Sequence, residues 1–355
     1  FDGTTLTDEN GDTYSAFSVK GNSVDMVAAR YYEIEPNEVR VKGMLDASTF
    51  YRCRTASRVL REAGVLTEWP IFHARPKSIP HQGRQLGLHQ FRSVLYEDYI
   101  AHQSKLAPNR SDPIGKVGLV GSGLTEFRPS VMYRAMITNV RLEEIGLLAA
   151  QGHDRLALAE AIQGLQSRKP EHFLVWTRIK ELDPLSEDDQ DKYFLELLPQ
   201  LMGENLARFH NEGFFHKYLH SGNWTLAGEI VDLDSVRSRK IVDAPEEDTA
   251  IATRFAEALQ SYGFFEKFFS SSEAARTARR IYGHAYATER LNDTAMTKSE
   301  HLIIEAYLMD NSDGIAEGFT PIVLKQNDGQ IDRLILKRAL LNPEWLDAKS
   351  QCFGE

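Results

Sequence analysis

The sequence predicts an α+β fold of two lobes, a β-rich N-terminal lobe followed by a mainly helical C-terminal lobe. Three observations lead to this prediction: strand-like runs between turn residues before position 45, helical spacing of apolar residues after position 141, and a small hairpin pattern within the helical half. The length of 355 residues suits two lobes, and a hydrophobic fraction of 42% supplies a sizeable core.

The predicted N-terminal lobe covers residues 1–140 and begins with strands. Asn10-Gly11 is a turn signal, and the strand-like run that follows it ends at 19–21, so the two predict a hairpin. Residues 37–44 repeat the pattern of a strand followed by Lys-Gly, with Lys42 as the lysine. The start of the chain is therefore expected to be β-structure.

The rest of this lobe mixes one helix with a long insertion. Residues 47–64 keep helical spacing and end in a glycine, which predicts a helix. Residues 73–130 are rich in His, Gly, Pro and Ser, so we interpret them as an insertion with a short helix near 90–104. Residues 130–140 are predicted to form a buried strand that leads into a connector, and the hinge between the lobes is expected near 131–140.

The predicted C-terminal lobe covers residues 141–355 and carries the clearest helical pattern in the chain. Apolar residues recur at helical spacing over 190–211, and Pro199 predicts a kink or break there. Gly213 is expected to end this helix. Two strand-like pieces then flank a turn at Ala227-Gly228, which predicts a hairpin between the helices.

Composition limits the class of partner and the compartment. The formal net charge is −10 and the pI is about 5.6, which argues against a duplex nucleic-acid partner. No apolar stretch reaches the roughly 18 residues of a membrane span, so we expect no membrane partner. The two cysteines form no CxxC pair or disulfide framework, which favours a reducing compartment, and we expect the protein to be cytoplasmic.

The segment after Gly213 carries the residues that predict chemistry. Magnesium prefers hard oxygen ligands and takes one or two protein side chains together with phosphate oxygens. Asn223 and Asp232 are nine positions apart with a turn between them, so a hairpin brings an amide oxygen and a carboxylate to one cleft. We therefore predict that both bind Mg²⁺, that Asn223 also helps to bind ATP, and that Asp232 is catalytic. Asp234 is a candidate second metal ligand or catalytic base, and the alternative is a surface charge or helix cap.

Residues 216–223 are similar to a loop of kinase-like phosphotransferases. Aminoglycoside and choline kinases often contain H-G-D-x-H-x-x-N, and this chain has His216, His220 and Asn223 at the matching positions. Tyr218 stands where the catalytic aspartate of those enzymes would be. His216 is a catalytic candidate with two possible roles, hydrogen bonding that holds the loop or proton transfer, of which the first is favoured.

The missing aspartate indicates a narrower resemblance, to the selenoprotein O family of protein-kinase-like enzymes. Residues 213–223 and Asp232 align without a gap with that family's G-F-x-H-G-x-x-N-T-D-N loop and the aspartate that follows it. Residues 131–145 resemble its hinge, and residues 56–70 resemble its helix-C region. The resemblance implies a protein-kinase-like two-lobed fold, ATP and Mg²⁺ as cofactors, and AMP transfer to protein hydroxyls.

Three departures from the family pattern keep other hypotheses open. Gly222 replaces the acidic residue that lies beside the metal-binding Asn in the family. The position of the family's helix-C glutamate falls near Cys53 or Arg58 in this chain. The family's Asp-Tyr-Gly is replaced by Asp-Leu-Asp at residues 232–234 of this chain. A catalytically inactive pseudokinase scaffold and a small-molecule kinase of the aminoglycoside or choline type are therefore the alternatives.

Phosphate-binding residues are less defined than the metal pair. Lys20 and Lys42 compete for the phosphate-binding lysine: the more apolar strand favours Lys20, and the distance to the helix-C region favours Lys42. Arg134 either contacts phosphate or forms a salt bridge. The function expected from the sequence is a Mg²⁺-ATP-dependent transferase that moves AMP or phosphate to an unidentified protein or small-molecule acceptor.

Overall fold

The computed structural model describes most of the central chain in two compact units. The described residues are 5–21, 31–35, 38–41, 45–81, 83–94, 97, 128–216, 218–238, 253–254, 257–258, 260–261, 263–269 and 271–291. Those within Phe1–Ala16, Thr55–Glu68 and Met136–Glu355 form the first unit, and those within Phe17–Arg54 and Trp69–Ala135 form the second. The division into lobes at residue 140 stays a prediction.

The described residues contain both short strands and helices. The strands are β1 (Leu6–Thr7), β2 (Thr13–Tyr14), β3 (Ala16–Lys20), β4 (Tyr31–Glu35), β5 (Glu38–Val41), β6 (Leu45–Asp46), β7 (Trp69–Ala74), β8 (Ser78–His81), β9 (Arg84–Gly87), β10 (Pro129–Met136), β11 (Phe214–Phe215) and β12 (Arg237–Ser238). The helices are α1 (Ala47–Glu62), α2 (Ile145–Ala150), α3 (Asp154–Arg168), α4 (Trp176–Ile179), α5 (Glu187–Lys192), α6 (Leu198–Asn211), α7 (Phe265–Phe268) and α8 (Ser272–Leu291). Small antiparallel sheets combined with helices confirm the α+β class.

The strands pair locally in both units. In the first unit, β1 and β2 form an antiparallel hairpin around the predicted Asn10-Gly11 turn, with Gly11 at φ +86°. In the second unit, β10 lies between β3 and β6 and also pairs with β7. β10 is buried along most of its length, and its neighbours on both edges pair its backbone groups. The predicted hairpin at the start of the chain and the predicted strand after residue 130 are therefore confirmed.

Helix α1 agrees with the helix predicted over 47–64. Its buried residues Phe50, Cys53, Ala56 and Leu60 recur every three or four positions, which gives one apolar stripe. Gly64 follows the helix at φ +78°, a left-handed conformation that costs glycine little.

The helical run around Pro199 is broken in the way the sequence predicts. α5 leads into a π-helical turn over Tyr193–Leu197, and α6 starts immediately afterwards with Pro199 in its first turn. Proline has no N–H and its ring crowds the carbonyl four residues back, so the wider turn removes that clash. Gly213, at φ +77°, follows the C-terminal end of α6.

Helices α6 and α8 pack closely because Gly203 has no side chain. A Cβ atom at Gly203 would lie 2.5 Å from the carbonyl oxygen of Tyr282 and 3.0 Å from the backbone nitrogen of Tyr286. Both contacts are to backbone, which cannot move aside by changing a rotamer.

In the described residues no helix is long and apolar enough to cross a membrane.

We expect Gly203→Ala to lower the free energy of unfolding by about 2 kcal/mol, because overpacking at this contact outweighs the helix propensity gained. Urea denaturation measures the change. Gly146→Ala is the matched control, since Gly146 lies on exposed α2 with open space around its Cβ position. The control is expected to be neutral or up to about 1 kcal/mol more stable. Equal effects of the two substitutions would show that the α6–α8 contact tolerates a methyl group.

The predicted hairpin near Ala227-Gly228 is held on both sides within the first unit. Trp224 pairs with Ile230 across the hairpin. On one side, the Leu142 N–H donates to the Trp224 carbonyl and the Leu226 N–H donates to the Val140 carbonyl, both at 2.9 Å. The neighbours on the other side are Leu66 and Thr67. The hairpin is therefore confirmed, and its position is fixed by its neighbours.

Asn205 of α6 forms hydrogen bonds on the side of the hairpin that faces Leu66. Its Oδ1 accepts the Leu66 N–H at 2.8 Å, and its Nδ2 donates to the carbonyl oxygens of Leu66 at 2.9 Å and Gly228 at 2.8 Å. Asn205 is fully buried. One amide thus satisfies three backbone groups that have no access to water.

Glu229 fastens the hairpin to residues 137–138. Its carboxylate oxygens accept the N–H groups of Ile137 at 2.9 Å and Thr138 at 3.4 Å, and the Thr225 hydroxyl donates to it at 3.1 Å. Burial raises the pKa of Glu229 from 4.5 to about 7, although these hydrogen bonds act in the opposite direction. The side chain holds its proton in the folded state at a pH where the unfolded chain has released it.

This shift predicts a pH-dependent stability. The stabilisation from Glu229 is complete below pH 4.5 and is lost as the pH rises to about 7, because only the folded state binds the proton in that window. We expect the difference in unfolding free energy between wild type and Glu229→Gln to fall by about 2 kcal/mol from pH 5 to pH 8. Urea denaturation of both proteins measures it. The contributions of other titrating groups cancel because both proteins contain them. Parallel curves of unfolding free energy against pH for the two proteins would contradict the prediction.

Candidate functional site

The candidate site is a closed segment between strands β11 and β12. Phe214 pairs with Ser238 and Phe215 with Arg237, so the two ends of the segment are fastened to each other. The hairpin lies between them, and its register is fixed by a 3.0 Å hydrogen bond from the Val231 N–H to the Asn223 carbonyl. All of these residues belong to the first unit.

Asn223 is held by its amide nitrogen. Nδ2 donates to the Tyr218 carbonyl at 2.7 Å, and the side chain is mostly buried. The Ser221–Asn223 turn begins at His220, whose Nδ1 accepts the Gly222 N–H at 3.1 Å. Because the nitrogen anchors the amide, Oδ1 is the atom that can act as a hard metal ligand.

Asp232 has an unusual backbone conformation. Its φ of 70° and ψ of 46° are left-handed, and in the part of the chain that the structure describes only Lys169 is another non-glycine residue with positive φ. Such a conformation costs free energy and occurs often at functional sites, where neighbouring contacts maintain it. The backbone N–H of Asp232 donates to Glu68, whose carboxylate is fully buried.

The hairpin brings Asn223 and Asp232 to adjacent positions. Asn223 is hydrogen-bonded to Val231, the residue before Asp232. The pair supplies one amide oxygen and one carboxylate, which is the kind of incomplete oxygen set that Mg²⁺ accepts when phosphate and water fill the other positions. Across the described ranges no cluster of three or more His, Cys, Asp or Glu side chains is arranged to hold a metal. The donor set therefore fits a two-ligand magnesium site and lacks the ligands of a structural zinc site.

His216 has the contacts of a residue that holds the loop. Its ring is fully buried, and Nε2 donates to the Val231 carbonyl at 2.8 Å. Its backbone N–H donates to Glu257 at 2.7 Å. Burial lowers the pKa of His216, while the nearby Asp232 and Asp234 carboxylates oppose the shift. These contacts support the first of its two predicted roles, since a neutral ring bonded to a backbone carbonyl is poorly placed for proton transfer.

Asp234 lies one short turn beyond Asp232. It is buried within the Leu233–Ser235 turn. The Arg237 Nη1 atom donates to the Val236 carbonyl at 3.0 Å and approaches the Asp234 carbonyl at 3.5 Å. Asp234 thus belongs to the same small region as the candidate metal pair.

A further carboxylate beside the site was not predicted from the sequence. A Cβ atom at Gly222 would lie 2.5 Å from Oε1 and 2.7 Å from Oε2 of Glu143. The Glu143 carboxylate thus occupies the space that a side chain at position 222 would need. Glycine at position 222 was the only sequence signal, because it leaves room for a neighbour without saying which one.

The phosphate-binding candidates lie in the second unit or outside the described residues. β3 and β10 are neighbours in one sheet, and the Arg134 Nε atom donates to the Ser18 hydroxyl at 2.8 Å. Ser18 and Lys20 share a face of β3 because they are two residues apart. Lys20 and Arg134 therefore lie on the same face of this sheet. Lys42 lies outside the described residues.

The chain matches no protein-family model, and no curated protein matches it.

Proposed function

We propose that this protein is a Mg²⁺-ATP-dependent transferase with a protein-kinase-like, two-lobed fold. It moves AMP or phosphate from ATP to a hydroxyl or similar group of a protein or small-molecule acceptor. The observation that carries the proposal is the left-handed Asp232, whose neighbour Val231 is hydrogen-bonded to Asn223. Two hard-oxygen side chains on one rigid hairpin are what a phosphate-bound magnesium ion requires from a protein.

Asn223 and Asp232, one on each side of the hairpin, are the residues that would hold the metal. When bound, Mg²⁺ neutralises phosphate charge as the transferred group moves between oxygens. Asp232 would supply the carboxylate ligand, and Asn223 would supply its Oδ1 atom. His216 keeps the two in register through the Val231 carbonyl. Because hydrogen bonds within the chain fix His216 and Asn223, little reorganisation is needed at the moment of reaction.

We assign phosphate binding to Lys20 and Arg134, which lie on neighbouring strands of the sheet in the second unit. Arginine presents a planar fork of N–H donors that matches phosphate oxygens, and lysine acts as a point charge. Ser18 helps to fix the Arg134 guanidinium by accepting a hydrogen bond from its Nε atom. Lys42 remains the competing lysine.

The proposed reaction needs little help from a catalytic base that removes the proton of the acceptor. Attack on phosphorus through a loose transition state depends mainly on positioning and charge neutralisation. Asp234 is the carboxylate that we assign to proton removal, since it lies beside the metal pair. Tyr218, at the position of the usual aspartate, instead anchors Asn223 through its backbone carbonyl.

One observation favours a second function, a nucleotide-binding scaffold without catalysis. The Tyr218 side chain is 46% exposed at the position where kinase-like enzymes carry the base. A large, exposed aromatic side chain is typical of protein-binding surfaces. A scaffold of this kind would bind nucleotide and a partner and would not turn ATP over.

The compartment and partners follow from composition. Cys53 is buried as a free thiol, which fits a reducing compartment, and we infer a cytoplasmic protein. The net charge of −10 supports a small anionic ligand bound in a local basic site more than a nucleic-acid partner.

Measuring the affinity for ATP with and without Mg²⁺ distinguishes the metal-binding role of Asn223 from its structural role. We expect Asn223→Ala to weaken ATP binding about 10- to 100-fold with Mg²⁺ present and to leave it unchanged in EDTA. Isothermal titration calorimetry measures both conditions. Gln163→Ala, which truncates an exposed amide on α3, is the control and should bind as wild type. Wild-type protein that binds no ATP in either condition would refute both the transferase and the nucleotide-binding scaffold.

A further inference from the structure

The Glu68 carboxylate accepts hydrogen bonds from the backbone at Asp232, the candidate metal ligand. Oε2 accepts the N–H of Asp232 and Oε1 accepts the N–H of Leu233, both at 3.1 Å. The Glu68 side chain is fully buried. Each oxygen thus binds one of two successive N–H groups in a turn where the first residue has positive φ.

Glu68 is itself fixed by its neighbours in the first unit. Its carbonyl accepts the Ser57 hydroxyl at 2.6 Å. The preceding residue, Thr67, pairs in parallel with Ile230 and donates its hydroxyl to the Ile230 carbonyl at 2.6 Å. Because its backbone is anchored, Glu68 can hold the 232–233 turn in place instead of following its movements.

The side chain at position 68 must be a carboxylate to make both bonds. An apolar residue would leave two buried N–H groups unpaired, and glutamine has only one acceptor oxygen for two donors. Burying an acid is costly, so a buried carboxylate that accepts two backbone N–H groups next to an unusual conformation indicates a role for that conformation.

We propose that Glu68 is the positioning residue of the metal site: it holds Asp232 in the left-handed conformation that directs its carboxylate to Mg²⁺. This inference rests on the proposed function, since it assigns Glu68 to the metal that Asp232 binds. Glu68 itself touches neither metal nor nucleotide. Its effect is therefore expected in metal affinity before any effect on a chemical step.

Glu68→Gln tests the proposal against a closely matched control. Glu229 is also a fully buried glutamate that accepts two successive backbone N–H groups, but those belong to Ile137 and Thr138. The readout is Mn²⁺ binding followed by electron paramagnetic resonance, with Mn²⁺ in place of Mg²⁺ and no turnover needed. We expect Glu68→Gln to weaken Mn²⁺ binding in the presence of ATP about 10- to 100-fold and Glu229→Gln to change it less than about 2-fold.

Glu68→Asp keeps the test decisive if the glutamine variant does not fold. Aspartate retains the charge and both acceptors but is one methylene shorter, so we expect an intermediate loss of Mn²⁺ affinity. Circular dichroism establishes that each variant is folded. Mn²⁺ affinity of a folded Glu68 variant equal to that of Glu229→Gln would overturn the positioning role and leave the proposed function intact. Wild-type protein that binds no Mn²⁺ with ATP would overturn both.

Discussion

Asp232→Asn is expected to lower ATP turnover by about 10³-fold, equivalent to about 4 kcal/mol of lost transition-state stabilisation. The change removes the charge that holds the metal but keeps the shape of the side chain. Asparagine also tolerates the left-handed conformation, so the loop should keep its structure. Release of labelled product from ATP under single-turnover conditions measures the effect.

The control for this prediction is Asp188→Ala, which removes an exposed carboxylate from the first turn of α5. We expect it to leave turnover within about 2-fold of wild type, because exposed charges of this kind contribute little. Stability of Asp232→Asn should stay within about 1 kcal/mol of wild type. If Asp232→Asn retained wild-type turnover, Asp232 would not be the metal ligand of the reaction.

Asn205→Leu is expected to lower the free energy of unfolding by about 3–5 kcal/mol. Leucine keeps the approximate volume but removes the partner of the Leu66 N–H and of the Gly228 carbonyl, and the Leu66 carbonyl keeps only its bond from the Ile230 N–H. Each buried group that loses its hydrogen bond costs about 1–3 kcal/mol. Urea denaturation measures the loss. This is the largest stability effect that we predict for a single side chain.

Gln163→Ala is the matched amide control for Asn205, since its side chain is exposed on α3. Its effect should lie within about 0.5 kcal/mol of wild type. A loss of less than about 1 kcal/mol for Asn205→Leu would mean that the hairpin is held by its other neighbours, Val140 and Leu142.

Features determined by nearby residues were predictable from the sequence. α1 follows from apolar spacing and a terminal glycine, and the break at Pro199 follows from the missing N–H of proline. The hairpin that brings Asn223 to Asp232 was also predicted, because its turn and both strands lie within one short segment. The α+β class is confirmed on the same grounds. The kinase-like arrangement of lobes stays a proposal.

Features that join distant segments were not predictable. Glu68 meets Asp232 across more than 160 residues, and Asn205 meets Leu66 across 139. Glu143 reaches the space beside Gly222 in the same way. A buried polar residue does not reveal its partner in one sequence, because burial and hydrogen bonding are decided by the tertiary fold. The sequence therefore indicated the two metal candidates and His216, and it missed Glu68 and Glu143 beside them.

The measurement that tests the central claim most directly is the fate of ATP labelled at either the α or the γ phosphate. Wild-type protein is incubated with Mg²⁺ and each nucleotide beside Asp232→Asn. The account predicts that wild type transfers label to an acceptor, from the α position for AMP transfer or from the γ position for phosphate transfer, and that Asp232→Asn transfers almost none. Absence of turnover in wild type that still binds ATP would contradict the transferase and favour the scaffold.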